Sequence, residues 1–104
     1  PHHLIAKDNK VAAIALEDSK TGEVSELAVK GVFPFVGLDP ITDFVKDLGI
    51  TDERGYIITN ELMETSVKGI YAAGDVRQKV LRQVVTATND GAIVGQQVGQ
   101  GLNN

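Results

Sequence analysis

The sequence contains no cysteine, and its two histidines, His2 and His3, stand at the extreme start. Without cysteine there is no disulfide, no thiolate metal site, no cysteine nucleophile and no dithiol redox pair within the chain. The two histidines read as a solvated end rather than as metal ligands, and a Ser-His-Asp arrangement would have to recruit one of them. Neither a catalytic set nor a metal site is therefore expected. Aromatic residues make up only 5% of the chain, so Val, Ile, Leu and Ala must build the core from a hydrophobic fraction of 42%. The net charge is −4, with no basic run and no aromatic–basic interleaving, which argues against a nucleic-acid surface. No apolar run approaches the roughly 18 residues that span a bilayer. No stretch resembles a signal peptide either. A membrane role is not expected, and a cytoplasmic location is the default reading.

What is present reads as a succession of short elements. Residues 10–18, KVAAIALED, are apolar and β-branched before turning charged, like a strand ending at a turn. SKTGE supplies that turn, with Gly22 able to take a positive φ. In EVSELAVKGVFPFVG, Val24, Leu27, Val29 and Val32 are interleaved with Ser, Glu and Lys. Residues 10–18 and 23–36 are thus expected to form a long antiparallel hairpin. Pro34 cannot donate to a ladder and marks an edge or a bend in the second arm. LDPITDFVKDLG carries a helix pattern, with Asp39 as N-cap and Pro40 in the first position. Ile41, Phe44, Val45 and Leu48 share one face of it, and Gly49 ends it. After the turn TDERG, YIITN and LMET read as short strands of a small antiparallel patch, and IYAAG as a strand buried on both faces. The last element, from about Leu81 to about Val98, reads as a long helix. Beyond Arg82 its only charged residue is Asp90, whereas a surface helix carries a charged face. It is expected to be covered on most sides, with Gly91 and Gly95 admitting other backbone closely. GQGLNN is expected to fray.

Chemistry concentrates at the junction between IYAAG and this helix. In open α/β sheets, ligands bind beyond the carboxyl ends of strands. Asp75 follows the strand directly and can accept hydrogen bonds from sugar or polyol hydroxyls, while Gly74 leaves room for a ligand to pass. A helix start presents unpaired N–H groups carrying about half a positive charge, which favours an electron-rich group without any cationic side chain. Arg82 and Gln83 fall in that first turn. On the residues alone, a second reading stands beside this one: Asp75 as a turn or cap residue, Arg82 as a solvated charge.

TSVKGIYAAGDVRQKVLRQVVTATNDGAI resembles the carboxyl-terminal flavin motif of the low-molecular-weight thioredoxin reductases. The strand followed by Gly-Asp is shared by many flavoproteins with two dinucleotide domains. The Arg-Gln pair ahead of VVTATNDGAI is the more specific part. GVFPFVGLDPIT resembles the same family's strand and proline-containing turn, and VAAIALEDSKTGEVSELAVKGVF its last nicotinamide-domain hairpin. The resemblance covers all but PHH and GQGLNN. It implies that Asp75 holds the ribityl chain of FAD. It also implies that Arg82, Gln83 and Val84 open a helix aimed at the flavin's pyrimidine edge, with Gly74 and Val76 in the same cofactor site. Negative charge on the reduced ring would then be stabilised by the helix start. Gly37 resembles a close-approach glycine, and an ordinary turn glycine explains it equally well.

Other parts of the family pattern are missing. No G-x-G-x-x-G occurs for the FAD pyrophosphate or for NADPH, and there is no Cys-x-x-Cys to reduce thioredoxin. The resemblance therefore implies an α/β fold: a long hairpin, a small antiparallel patch, one short helix and a long C-terminal helix, forming part of a Rossmann-like FAD domain. Residues 1–31 correspond to the end of an NADPH-binding domain and residues 32–104 to the second half of the FAD domain. The chain would be the carboxyl-terminal portion of a thioredoxin reductase, inactive and poor at binding FAD by itself. Its parent would use NADPH and FAD, serve thioredoxin, and self-associate as a homodimer or otherwise. Two alternatives stand. One is a related flavoprotein, either a peroxidase-linked disulfide reductase or a ferredoxin–NADP reductase; the other is a non-enzymatic β-rich interaction module.

Overall fold

The computed structural model describes residues 1–103, and the chain divides into two compact units, Pro1–Gly37 and Leu38–Asn104. The first unit holds a three-stranded antiparallel sheet, β1 (His3–Lys7), β2 (Lys10–Glu17) and β3 (Val24–Ala28), in that spatial order. The expected hairpin is its β2–β3 half, in register from Ala13 opposite Ala28 to Glu17 opposite Val24. Its turn is fixed by Asp18, whose carboxylate accepts the N–H groups of Lys20 and Thr21 at 2.7 and 3.0 Å. Gly22 takes the expected positive φ, 72°. β1 lies outside the expected hairpin. It joins β2 through Asp8 and Asn9, both left-handed at φ 53° and 62°, the conformation that the tightest two-residue hairpin turns require. β3 also stops at Ala28 instead of running on to residue 36. In this register β2, which begins at Lys10, has no residue to offer beyond position 31, so residues 32–36 find no partner there; Val29 N–H still reaches Ala12 O at 3.2 Å. Ala15, in the middle of β2, is the buried centre of this unit.

The second unit is built around Ile50, Ile57 and Ala72, with Val45, Val67, Ile70 and Val76 packed against them. Its extended segments pair only through single bridges: Thr51 with Ile57, Glu64 with Tyr71, and Ile57 with Arg77 in parallel. The expected antiparallel patch is thus present in its shortest form. The reason is local. The Asp52 carboxylate takes the amides of Arg54 and Tyr56, and the Asn60 side chain takes those of Leu62 and Glu64. Each side chain turns the backbone before a ladder can lengthen. IYAAG likewise gains no strand on either side among the described residues. The Ala72 N–H goes to Met63 O at 3.1 Å, and the Gly74 N–H to the side chain of Asp90.

The helix expected from Asp39 is a single 3-10 stretch, Asp43–Leu48, preceded by Thr42 and closed by Gly49 at φ 66°. Gly49 stops it as expected, but Asp39 does not cap it. The Thr42 hydroxyl donates to Gly55 O and the Tyr56 phenol to Leu38 O, so residues 38–42 are tied down in an irregular path. Only Val45 of the expected apolar face reaches the core; Ile41 and Phe44 are 87% and 80% exposed. Gly37 has open space among the described residues where a Cβ would stand.

The terminal helix, α1, spans Val84–Leu102. It begins later than expected, because Gln83 is still extended, and it includes Gly99 to Leu102 where fraying was expected; Asn104 lies outside the described residues. Gly91 and Gly95 meet nothing within 4 Å of an added Cβ. Val84, Val85 and Leu102 are exposed. Among the described residues, the outer, uncharged face of this helix is therefore uncovered. No helix among them is long and apolar enough to cross a membrane.

Candidate functional site

Gly74 opens the loop that leads to α1. Its φ of +87° is a left-handed turn that a side chain would strain. The turn carries Asp75 outward. Its carboxylate is exposed, and among the described residues no ion pair engages it. The backbone of Asp75 is fixed all the same. Arg82 donates from Nε to Asp75 O and from Nη2 to Arg77 O, both at 3.0 Å. The same guanidinium lies over the ring of Tyr56, 3.7 Å from its centroid, and Tyr56 is buried. A planar cation that stacks and forks in this way has no equivalent in lysine. Arg82 is thus folded back onto the loop and grips it.

Val76 faces inward as well, packing on the Ile50, Ile57 and Ala72 cluster, and its carbonyl accepts the Ile57 N–H at 2.9 Å. Gln83 is the N-cap of α1, extended at φ −141°, with its N–H donated to Thr86 Oγ1 at 3.0 Å. A capping box pairs the Gln83 side chain with the Thr86 amide, which leaves the amides of Val84 and Val85 without an intrahelical acceptor, and the first turn contains no acidic residue to offset them. Val84 and Val85 are themselves 83% and 71% exposed. One loop therefore displays, among the described residues, an unengaged carboxylate at its beginning and a helix start with two free amides at its end. The first can accept hydroxyl protons, and the second can donate to an electron-rich group.

Beneath this loop lies a cluster that the sequence reading did not assign. Asp90, 2% exposed, accepts from Gly74 N–H and Arg77 Nε, each at 3.0 Å, and from Lys79 Nζ. Arg77 Nη2 reaches its other oxygen at 3.3 Å, and Arg77 Nη1 donates to the Thr59 hydroxyl at 2.7 Å. Burial opposes ionisation of Asp90. Hydrogen bonds from Arg77, Lys79 and Gly74, with the charge of Arg77, outweigh it and hold the carboxyl at about 2, against an ordinary 3.8. The cue in the sequence is a lone acid in an otherwise uncharged helix, with Arg77 and Lys79 a short way upstream. A charge on the covered face of a helix has to be paired.

The pyridine nucleotide-disulphide oxidoreductase family matches residues 3–91, and the chain belongs to that family. Within it, the chain is similar to thioredoxin reductases. It is 52% identical over 92 residues to that of Bacillus subtilis (strain 168), covering 88% of this chain and 29% of the relative. It is 54% identical over 86 residues to that of Treponema pallidum (strain Nichols), covering 83% of this chain and 28% of the relative. Among solved structures, the thioredoxin reductase of Lactococcus lactis (FR conformation) matches with a TM-score of 0.75 and 49% identity, over 93% of this chain and 32% of that one. That of T. acidophilum matches with a TM-score of 0.77 and 37% identity, over 97% and 34%. The chain thus spans under a third of the length of these curated relatives.

Proposed function

We propose that this chain is the carboxyl-terminal portion of a thioredoxin reductase. In this reading residues 1–31 end the NADPH domain and residues 32–104 form the second half of the FAD domain. Identity of about half to thioredoxin reductases over most of the chain supports it. One observation carries the cofactor assignment: the Asp75 carboxylate, unengaged among the described residues, and the free first amides of α1 belong to one loop. A flavin needs both from this half of its site, and the residues present fit it. Asp75 would accept from the ribityl hydroxyls, and the free amide of Val84, next to Gln83 whose own N–H is taken by Thr86, would face the pyrimidine edge. Arg82 holds that approach from inside, Gly74 keeps the passage clear, and Val76 anchors the loop to the core. A helix start favours negative charge nearby by roughly 0.3–1 kcal/mol at a surface, and by more when enclosed.

When bound, FAD supplies two-electron transfer between NADPH and a disulfide. This chain has no cysteine, so the dithiol that meets thioredoxin belongs to another part of the enzyme. The isolated chain, without a phosphate-cradling loop, is inactive. The exposed, uncharged face of α1 suits contact with further protein, and the parent is read as a cytoplasmic, self-associating enzyme.

The test uses the full-length enzyme containing this chain. Asp75→Ala is expected to weaken FAD binding by about tenfold or more, the cost of one hydrogen bond to a charged group. Undiminished flavin after extensive dialysis would remove Asp75 from the site. NADPH oxidation that reduces no thioredoxin would assign the chain to a peroxidase-linked reductase or a ferredoxin–NADP reductase instead.

A further inference from the structure

Asp75 is exposed and no side chain among the described residues orients its carboxylate, so its position is only as well defined as the backbone beneath it. Arg82 holds that backbone by its carbonyls, and a buried acid holds it by its amide side. Asp90 takes the N–H of Gly74, the residue immediately before Asp75, at 3.0 Å. It also takes the side chains of Arg77 and Lys79, so three points along the loop converge on one carboxylate. Asp90 belongs to the same helix whose first amides form the other half of the site, and it sits about 9 Å along the axis from Val84 at 1.5 Å per residue. A rigid helix thus joins the Asp75 loop to the helix start.

We infer that Asp90 is a positioning residue for flavin binding: by holding Gly74, Arg77 and Lys79, it fixes the Asp75 carboxylate in register with the start of α1. This inference rests on the flavin reading above. Asp90 touches no flavin itself and acts through Gly74. Lys79 and Arg77, only 7% and 14% exposed as side chains, close the cluster from the loop side. The role explains why an otherwise uncharged helix keeps one buried charge, since replacing a buried ion pair by apolar residues of similar volume is often neutral or stabilising.

That last fact supplies the experiment. In the full-length enzyme, the triple variant Arg77→Met, Lys79→Met, Asp90→Leu removes the cluster while keeping its volume, and Asp90→Asn keeps an acceptor for Gly74 without the charge. FAD affinity of the apoprotein is measured beside thermal unfolding of that same apoprotein. The triple variant is expected to unfold within a few degrees of the parent yet bind FAD about tenfold more weakly, the lower end of what outer-layer hydrogen-bond partners contribute at bound metals. Asp90→Asn is expected to fall between the two. A role in stability alone would lower the unfolding temperature and leave the affinity of the folded fraction unchanged. Parental FAD affinity in a folded triple variant overturns the inference; if that variant does not fold, parental affinity in Asp90→Asn overturns it. Asp75→Ala separates the two levels. If Asp75→Ala weakens FAD binding and the Asp90 variants do not, only this inference falls; if Asp75→Ala has no effect, the flavin reading falls and takes this inference with it.

Discussion

The two units hold themselves together by different means. In residues 1–37 the ties are repetitive: backbone bonds along β1, β2 and β3, each much like the next. In residues 38–103 ladders shrink to single bridges, and side chains take over: Asp52, Asn60, Thr65, Arg82 and Asp90 each hold a segment of backbone. A repetitive scaffold spreads its free energy thinly and tolerates local change. A scaffold pinned by a few side chains concentrates it, and one truncation can release a whole loop.

The sharpest way to break this contrast is Asp90→Ala, which leaves two cations without their partner. Removing one member of a buried pair costs about 3–5 kcal/mol. Chemical denaturation read by amide exchange should show that loss in residues 70–90, with the β2 amides as internal reference. Acid probes the same group without mutation. The folded-state carboxyl of Asp90 lies at about 2, below its ordinary 3.8. Its contribution is therefore complete above pH 3.8 and disappears as pH falls through about 2. Asp18, held low by the amides of Lys20 and Thr21, titrates in the same direction. A folded second unit as stable at pH 2 as at pH 5 would contradict the cluster.

Arg82→Ala ranks next, removing two bonds to backbone carbonyls and the stack on Tyr56. The expected cost is about 2 kcal/mol, and Arg82→Lys should recover little of it. In the first unit, Gly22→Ala puts a side chain at φ 72° with open space around it. Backbone strain alone should cost about 1 kcal/mol, the smallest of these effects and the measure of how well a ladder absorbs a local fault.

Legibility in the sequence follows the same division. A β-branched apolar run revealed β2 and period-two patterning after a glycine turn revealed β3, because a ladder writes itself into such residues. β1 escaped because Asp8-Asn9 is a weaker turn signal than Asn-Gly and the strand is only His3–Lys7. The helix expected at Asp39 failed because spacing records an apolar face but not whether a surface exists to receive it. Ile41 and Phe44 find none among the described residues. At the loop, Gly74, Asp75, Arg82, Gln83 and Val84 were legible as a family motif. The inward turn of Arg82 and Val76 was not, since both depend on Tyr56 and Ile57, distant in sequence. Asp90 was visible as an anomaly of composition, yet only the fold reveals which cations it meets.

The chain has two tyrosines and no tryptophan. Tyr56 lies beneath a guanidinium at 3.7 Å, while Tyr71 is half-buried elsewhere. Ultraviolet absorbance and fluorescence near 280–310 nm are thus dominated by two phenols, one of them wearing a cationic lid. Lifting Arg82 from that ring would change its spectrum directly, so the grip on the Asp75 loop comes with a built-in optical reporter that needs no label.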